Sequence, residues 1–141
     1  MDAKLLTQSK MLKEYINILK GISNHRQVDF LSDPILRGAA ERYLQLAIET
    51  CINIGNRILS LEQFNKKFKT PETYAEIFEN LAKIDILDSQ FAEELIRMAK
   101  FRNKLVHVYW ELKPELIYAL LQTRVDDFIK YLTVTTEYLE K

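Results

Sequence analysis

The chain has 141 residues, of which 48% are hydrophobic and 28% charged, as in an ordinary soluble globular protein of about one domain. Its 20 basic and 20 acidic side chains cancel, which argues against a uniformly basic coat for nucleic acid or membrane but leaves local patches open. With only three glycines and three prolines, few residues can make the turns of an all-β fold. The composition therefore predicts an all-α protein.

Cysteine content and hydropathy indicate where such a protein would work. Cys51 is the only cysteine, so the chain cannot form an internal disulfide or a thiolate metal cluster, which fits a reducing compartment. The N-terminal sequence MDAKLLTQSK lacks the apolar core of a signal peptide. No stretch approaches the roughly 18 apolar residues of a membrane span. We therefore expect a cytoplasmic protein with one domain over residues 1–141 and no membrane contact.

Apolar residues recur at helical spacing and predict a bundle of about five helices. In chain order the helices start near residues 3, 34, 71, 89 and 114, and the first, second and fourth end near residues 22, 59 and 106. The second has the clearest start, because Ser32 or Asp33 can cap it and Pro34 suits the first helical position. Gly38 and Gly55 lie inside it, where either a close neighbouring helix or tolerance at about 1 kcal/mol each would account for them.

The remaining boundaries follow from caps and prolines. Thr70 is predicted to cap the third helix, with Pro71 and Glu72 in its first turn. Asp88 is predicted to cap the fourth. The sequence HVYWELK then forms a linker, and Pro114 opens a fifth helix that continues to the end of the chain. The segments SNHRQVDF and FNKKFKT are predicted to be polar connections.

The bundle pattern fails most clearly in the fourth helix. Arg102 lies four residues after Met98 and three before Leu105, on the stripe that should be buried. Because an unpaired buried charge is strongly unfavourable, the guanidinium needs a partner or must open onto a cleft. Glu41 and Glu49 of the second helix are possible partners, and the planar fork of donors suits a carboxylate or a phosphate.

Polar groups concentrate around this arginine. An imidazole, an amide, a phenol and two ammonium groups follow or flank it, at Lys100, Asn103, Lys104, His107 and Tyr109. Lys100, Lys104 and His107 share a face if the helix continues that far. Residues 97–113 carry five basic side chains and one acidic one, whereas residues 72–94 carry seven acidic side chains and one lysine. The neutral total is thus a cancellation between neighbouring regions.

These groups suit RNA cleavage without a metal ion. An imidazole titrates near neutrality and can take the proton of a ribose 2′-OH, which then attacks the adjacent phosphate. A guanidinium can stabilise the negative charge that develops there. One arginine and one histidine are few, but a two-fold dimer would bring two of each into one cleft. No metal or cofactor is expected, and a di-iron bundle is excluded because neither histidine has a glutamate three residues before it.

The sequence RNKLVHVY, read as Arg102-x4-His107-x-Tyr109, resembles the signature of HEPN-domain ribonucleases. It is most similar to HepT-like toxins that are encoded beside minimal nucleotidyltransferase antitoxins. The stretch DPILRGAAERYLQLAIETCINIGNRI resembles the long helix of that group, and WELKPELIYALL resembles the segment after the signature. The likeness covers nearly the whole chain.

The resemblance implies a HEPN-type helical bundle that forms a homodimer, with a composite site of Arg102 and His107 from each protomer. It implies metal-independent cleavage of RNA by a growth-arresting toxin. The implied partner is a nucleotidyltransferase antitoxin, which in this group attaches AMP to a tyrosine that matches Tyr109. A bulky anionic adenylate two residues from His107 would occlude the cleft and oppose the phosphate of RNA.

Other interpretations of the same residues stay open. Arg102 could be structural, and His107 could be a helix-end histidine stabilised by the helix dipole. Asn103 could orient His107 or a phosphate, and Lys100 and Lys104 are either solvated charges or attractors of RNA. The remaining assignments are packing or the stacking of a base for Trp110, an inert exposed side chain for His25, and a core position for Cys51. The rival functions are a catalytically silent HEPN dimer that binds nucleotide or substrate for a nucleotidyltransferase, and a plain helical adaptor.

Overall fold

A computed structural model of the protein describes residues 2–141 and contains only helices, turns and connections in that range. The all-α prediction is confirmed. The helices are α1 (Ala3–Ser23), α2 (Gln27–Leu31), α3 (Pro34–Glu62), α4 (Tyr74–Lys83), α5 (Ser89–His107), α6 (Pro114–Thr123) and α7 (Val125–Leu139), with a 3-10 turn at Tyr109–Glu111 between α5 and α6. No helix of the described chain is long and apolar enough to cross a membrane.

Helix α3 forms the centre of the bundle and contacts each of the other six α-helices. Its apolar residues are buried on several sides, against large side chains such as Phe78 of α4 and Phe128 of α7. Tyr131 of α7 is fully buried, and its hydroxyl donates a hydrogen bond of 2.8 Å to the carbonyl oxygen of Cys51. This bond satisfies the one polar atom of an otherwise apolar ring inside the core.

Aspartate caps fix the starts of two long helices at the predicted residues. Asp33 accepts hydrogen bonds from the backbone N–H groups of Ile35 and Leu36, and Pro34 occupies the first turn of α3. Asp88 accepts one from the backbone of Phe91 at the start of α5. Each cap satisfies N–H groups that have no partner inside the helix, which is why short-range sequence signals located them.

The predicted cap of the third helix is wrong. Helix α4 begins at Tyr74, and Thr73 rather than Thr70 caps it. The hydroxyl of Thr73 accepts from the backbone N–H of Glu76, whose carboxylate accepts from the N–H of Thr73 at 3.0 Å. This reciprocal capping box satisfies two N–H groups at once, which Thr70 followed by Pro71 does not achieve.

The prediction of about five helices is too low for two reasons. The last predicted helix breaks at Arg124, whose guanidinium contacts Glu94 Oε2 at 2.9 Å and Asp127 Oδ2 at 3.5 Å. The connection between the first two predicted helices contains α2, which buries Phe30 completely. Phe30 packs on the ring of Tyr118 in α6, with 5.3 Å between ring centroids. This contact is 88 residues away in the chain, so the local polar composition did not reveal it.

The two glycines of α3 have different explanations. A Cβ atom on Gly55 would lie 2.8 Å from Ile77 Cγ2 of α4 and 3.0 Å from Tyr131 Oη of α7. Close packing of neighbouring helices therefore requires a glycine there. A Cβ atom on Gly38 would meet no heavy atom within 4 Å, so Gly38 is a tolerated helix-weakening residue beside open space.

Candidate functional site

Arg102 lies in the last two turns of α5 and pairs with Glu49 at the middle of α3. Glu49 Oε1 accepts hydrogen bonds from Arg102 Nη2 at 2.8 Å and from Arg102 Nε at 3.1 Å. Gln45 Nε2 donates to the same oxygen at 3.2 Å. The side chains of Arg102 and Glu49 are 20% and 28% exposed, so water still reaches the pair. Of the two partners proposed from the sequence, Glu49 is correct and Glu41 is wrong.

The outer edge of the Arg102 guanidinium has N–H groups that are available to hydrogen-bond a ligand. Its Nη1 makes one long hydrogen bond of 3.4 Å to Asn103 Oδ1. Its Cζ lies 6.0 Å from the centroid of the Tyr74 ring, at the outer limit of a cation–π contact. An arginine has five N–H donors, and the described residues take three of them. The guanidinium is therefore held on one edge by Glu49 and remains able to bind an anion on the other.

His107 is the last residue of α5 and is exposed. Its ring makes no hydrogen bond with any other residue in the range 2–141. Because the helix continues to His107, Lys100 and Lys104 share its face as predicted, and both are exposed. Asn103 accepts a hydrogen bond from Arg102 and makes none with the imidazole among residues 2–141. The face offers an exposed imidazole and two exposed cations.

Tyr109 and Trp110 begin the 3-10 turn that follows α5. They are 57% and 68% exposed, and their rings pack edge to face with 5.4 Å between centroids. Trp110 therefore packs on Tyr109 at the surface and not in the core. The phenol of Tyr109 is exposed, two residues after His107 in the chain.

The turn also borders an open-sided cavity of about 230 Å³ at the start of α3, with Arg37, Gly38 and Glu41 on the helix side and Tyr109 and Trp110 on the turn side. Sequence reasoning missed Arg37, Gln45 and Tyr74 as neighbours of the site. Arg37 and Glu41 are four residues apart, as are Gln45 and Glu49, so each pair shares one face of α3. Which of these faces meets α5 and which meets the turn depends on packing between helices.

Two other predicted positions are as expected. Cys51 is 2% exposed, and burial raises the pKa of its thiol, so it is a core residue and not a nucleophile beside the exposed His107. His25 is exposed, and its Nδ1 lies 3.1 Å from the carbonyl oxygen of Ile22. It contacts none of the site residues and provides a matched control for His107.

Solved structures share this fold almost completely. A tri-AMPylated HEPN toxin of Shewanella oneidensis in complex with an MNT antitoxin superimposes with a TM-score of 0.86 and 23% identity, covering 97% of this chain and 99% of that one. A toxin–antitoxin complex with AMP-PNP superimposes with a TM-score of 0.84 and 23% identity, covering 96% of this chain and 99% of that one. The bundle is thus the HEPN fold.

Sequence relatives agree with the fold. A tRNA nuclease HepT of Aphanizomenon flos-aquae is 28% identical, over 94% of this chain and 88% of the relative. An mRNA nuclease HepT of Shewanella oneidensis is 25% identical, over 93% of this chain and 92% of the relative. The model of a family described as ribonuclease HepT-like matches residues 12–134. With that match over most of its length, and the resemblance around Arg102 and His107, the chain belongs to the HepT-like ribonuclease family.

Proposed function

We propose that this protein is an endoribonuclease toxin that cleaves RNA without a metal ion, with Arg102 and His107 as its catalytic residues. The observation that carries the proposal is their placement at one end of α5, where Glu49 holds the arginine and the imidazole is free of protein partners among residues 2–141. The two relatives named as nucleases of tRNA and of mRNA support RNA as the substrate class.

The chemistry begins at a ribose 2′-OH. A neutral imidazole of His107 takes the hydroxyl proton while the 2′ oxygen bonds to the adjacent phosphorus. The bond from phosphorus to the 5′ oxygen breaks, and this oxygen takes a proton from a second, protonated imidazole. Arg102 stabilises the charge on the non-bridging oxygens. The products are a 2′,3′-cyclic phosphate and a 5′-hydroxyl, and DNA is inert because it lacks the attacking group.

A homodimer supplies the second imidazole. Each chain contributes only one His107 and one Arg102. The reaction needs two imidazoles, one as base and one as acid, and a guanidinium that stabilises the developing charge. A two-fold axis near the end of α5 would place both copies of Arg102 and His107 in one cleft. In that arrangement Asn103 supports Arg102, and Lys100 and Lys104 attract the RNA backbone.

Mixed dimers test the shared cleft. Dimers that combine an Arg102→Ala chain with a His107→Ala chain should recover part of the activity relative to either variant alone, because one arginine and one histidine then meet in the cleft and water replaces the missing acid. A site confined to one protomer predicts no recovery, since neither chain carries both residues.

Control by a nucleotidyltransferase antitoxin is the regulatory part of the proposal. The exposed hydroxyl of Tyr109 is the acceptor, and the resulting adenylate places an anion two residues from His107. A structural neighbour described as a tri-AMPylated toxin supports this kind of control. After co-expression with a partner antitoxin, intact-mass measurement should show additions in multiples of AMP that Tyr109→Phe abolishes. An unchanged mass, or an addition that survives Tyr109→Phe, would contradict it.

Cleavage by the purified protein in the presence of a chelator tests the nuclease assignment. The native protein should cut RNA, Arg102→Ala and His107→Ala should not, and His25→Ala should cut like the native protein. Absence of cleavage with intact nucleotide binding would instead favour a catalytically silent HEPN dimer. A plain helical adaptor predicts that no substitution affects RNA or nucleotide.

A further inference from the structure

The cavity beside the 3-10 turn contains a combination of groups that neither the fold nor the proposed cleavage uses. Arg37 and Glu41 project from successive turns of α3, and the rings of Tyr109 and Trp110 form the opposite side. Gly38 lies between the two charged residues, and a Cβ atom there would meet nothing within 4 Å. There is therefore free space above Gly38 between the two charged side chains. The cavity volume of about 230 Å³ is small beside ordinary ligand pockets of roughly 300–1,000 Å³.

The two charged residues of this cavity have no partners among residues 2–141. Arg37 Nε is inaccessible to solvent and makes no hydrogen bond, although a buried unpaired donor is unfavourable. Glu41 is four residues away, but the two side chains form no ion pair within 4.0 Å. Burial raises the pKa of the Glu41 carboxyl group, and the nearby Arg37 opposes that shift only in part. Because Nε itself is covered, a ligand in the cavity would bind the accessible terminal nitrogens of Arg37 and the carboxylate of Glu41.

We propose that this cavity binds a single nucleoside monophosphate, with the phosphate on Arg37, the ribose hydroxyls on Glu41 and the base against the exposed ring of Trp110. A guanidinium is the preferred protein group for phosphate, and an ionised carboxylate accepts hydrogen bonds from hydroxyls. An accessible indole stacks on any base. The cavity is small and open-sided, so the phosphate and ribose enter it and the base lies on the exposed ring of Trp110 at its edge.

The nucleotide could come from two sources, and both rest on the proposed function. Tyr109 is part of the cavity wall, so an adenylate attached to its hydroxyl would lie at the cavity. A nucleotide next to the cleaved bond of a bound RNA presents the same phosphate, ribose and base. The shared chemistry defines the site, and competition experiments separate the sources.

Tryptophan fluorescence of the intact protein reports on the cavity directly, because Trp110 is the single tryptophan of the chain. Titration with AMP should change the emission in a saturable way. Arg37→Gln should weaken the binding of AMP about tenfold or more, since it removes a charged hydrogen-bond donor to phosphate. Arg42→Gln, at an exposed arginine of the same helix, should bind AMP like the native protein. No saturable change, or an equal response from Arg37→Gln, would overturn the proposal.

A space-filling variant provides a second test that does not depend on charge. Gly38→Leu should abolish the AMP response without loss of thermal stability, because open space and a helical backbone accept the new side chain. Gly21→Leu is the matched control, since a Cβ atom there also meets nothing within 4 Å. A Gly38→Leu protein that binds AMP normally would contradict binding in this cavity.

Two further arms distinguish the sources and separate this proposal from the nuclease assignment. If the adenylate on Tyr109 occupies the cavity, modified protein should no longer respond to free AMP. If RNA occupies it, an RNA with 2′-deoxyribose at the cleaved position should compete with AMP. Undiminished AMP binding in both arms would contradict a link between the cavity and the RNA site. His107→Ala should still bind AMP, because His107 does not line the cavity. A native protein that binds AMP but cuts no RNA would therefore refute the nuclease assignment and leave the nucleotide site standing.

Discussion

Among individual residues, the ion pair between Arg102 and Glu49 is the central interaction of the candidate site. Glu49 Oε1 accepts from two nitrogens of the guanidinium and from Gln45, and this fixes one edge of Arg102. In the proposed mechanism the opposite edge binds phosphate, and Glu49 positions Arg102 for it. Glu49 also compensates the charge that the helix pattern places on a partly buried stripe.

Replacement of Glu49 tests this role. Glu49→Ala should lower kcat/KM for RNA cleavage by at least about tenfold, because Arg102 loses its orientation. Glu49→Gln should retain more activity, since its amide oxygen still accepts from Nε and Nη2. We expect a loss of about 1–2 kcal/mol in the free energy of unfolding by urea, a modest value because the pair is partly exposed.

The matched control for Glu49 is Arg57→Ala, which breaks the comparably exposed ion pair between Arg57 and Asp2. It should reduce stability by a similar amount and leave cleavage unchanged, because that pair lies outside the site. An equal activity loss in Arg57→Ala and Glu49→Ala would show that Glu49 acts through stability alone.

At the scale of elements, the short-range signals predicted the long helices well and the contacts between them poorly. Asp33, Pro34 and Asp88 act within a few residues of themselves, so their roles as caps and first-turn residue could be read from the sequence. Glu41 and Glu49 lie eight residues apart on α3, about 12 Å along the helix. Which of them pairs with Arg102 depends on the relative position of α3 and α5 along their axes, and no local sequence pattern determines that position.

Replacement by alanine should have opposite effects on stability at the two glycines of α3, because their surroundings differ. Gly55→Ala should lower the free energy of unfolding by about 1–3 kcal/mol, because its Cβ would overlap Ile77 Cγ2 at 2.8 Å. Gly38→Ala should raise it by about 0.5–1 kcal/mol, since it restrains the unfolded chain and meets no neighbour. Urea unfolding of both variants measures this, and equal effects would contradict the packing around Gly55.

The start of α1 is tied to α3 by a pH-sensitive ion pair. The guanidinium of Arg57, with help from the backbone N–H of Leu5, lowers the pKa of Asp2 from 3.8 to about 2. A lowered carboxyl pKa stabilises the folded state above the unfolded pKa, and this contribution disappears as the pH falls from about 4 to about 2. Asp2→Asn should therefore be less stable than the native protein at pH 7, and most of this difference should be gone at pH 2. A stability difference that is the same at both pH values would contradict this.

At the scale of the whole molecule, the balanced charge conceals a basic region at the end of α5. Lys100, Lys104 and His107 share an exposed face there, so attraction of RNA should be local and involve few phosphates. The double variant Lys100→Ala/Lys104→Ala should reduce the slope of log binding constant against log salt by about 1.4 for single-stranded RNA. The pair Lys13→Ala/Lys20→Ala, at exposed lysines of α1, should leave it unchanged. Equal slopes for both pairs would place the RNA elsewhere.

If Arg102 and His107 cleave RNA by attack of a ribose 2′-OH, the ends of the RNA fragments carry the signature of that reaction. With a chelator present, the native protein should produce 2′,3′-cyclic phosphate and 5′-hydroxyl ends, and an RNA with a single 2′-deoxyribose at the cleaved position should stay intact there. Products with 5′-phosphate ends, cleavage at the 2′-deoxy position, or undiminished cleavage by His107→Ala would contradict the proposed mechanism.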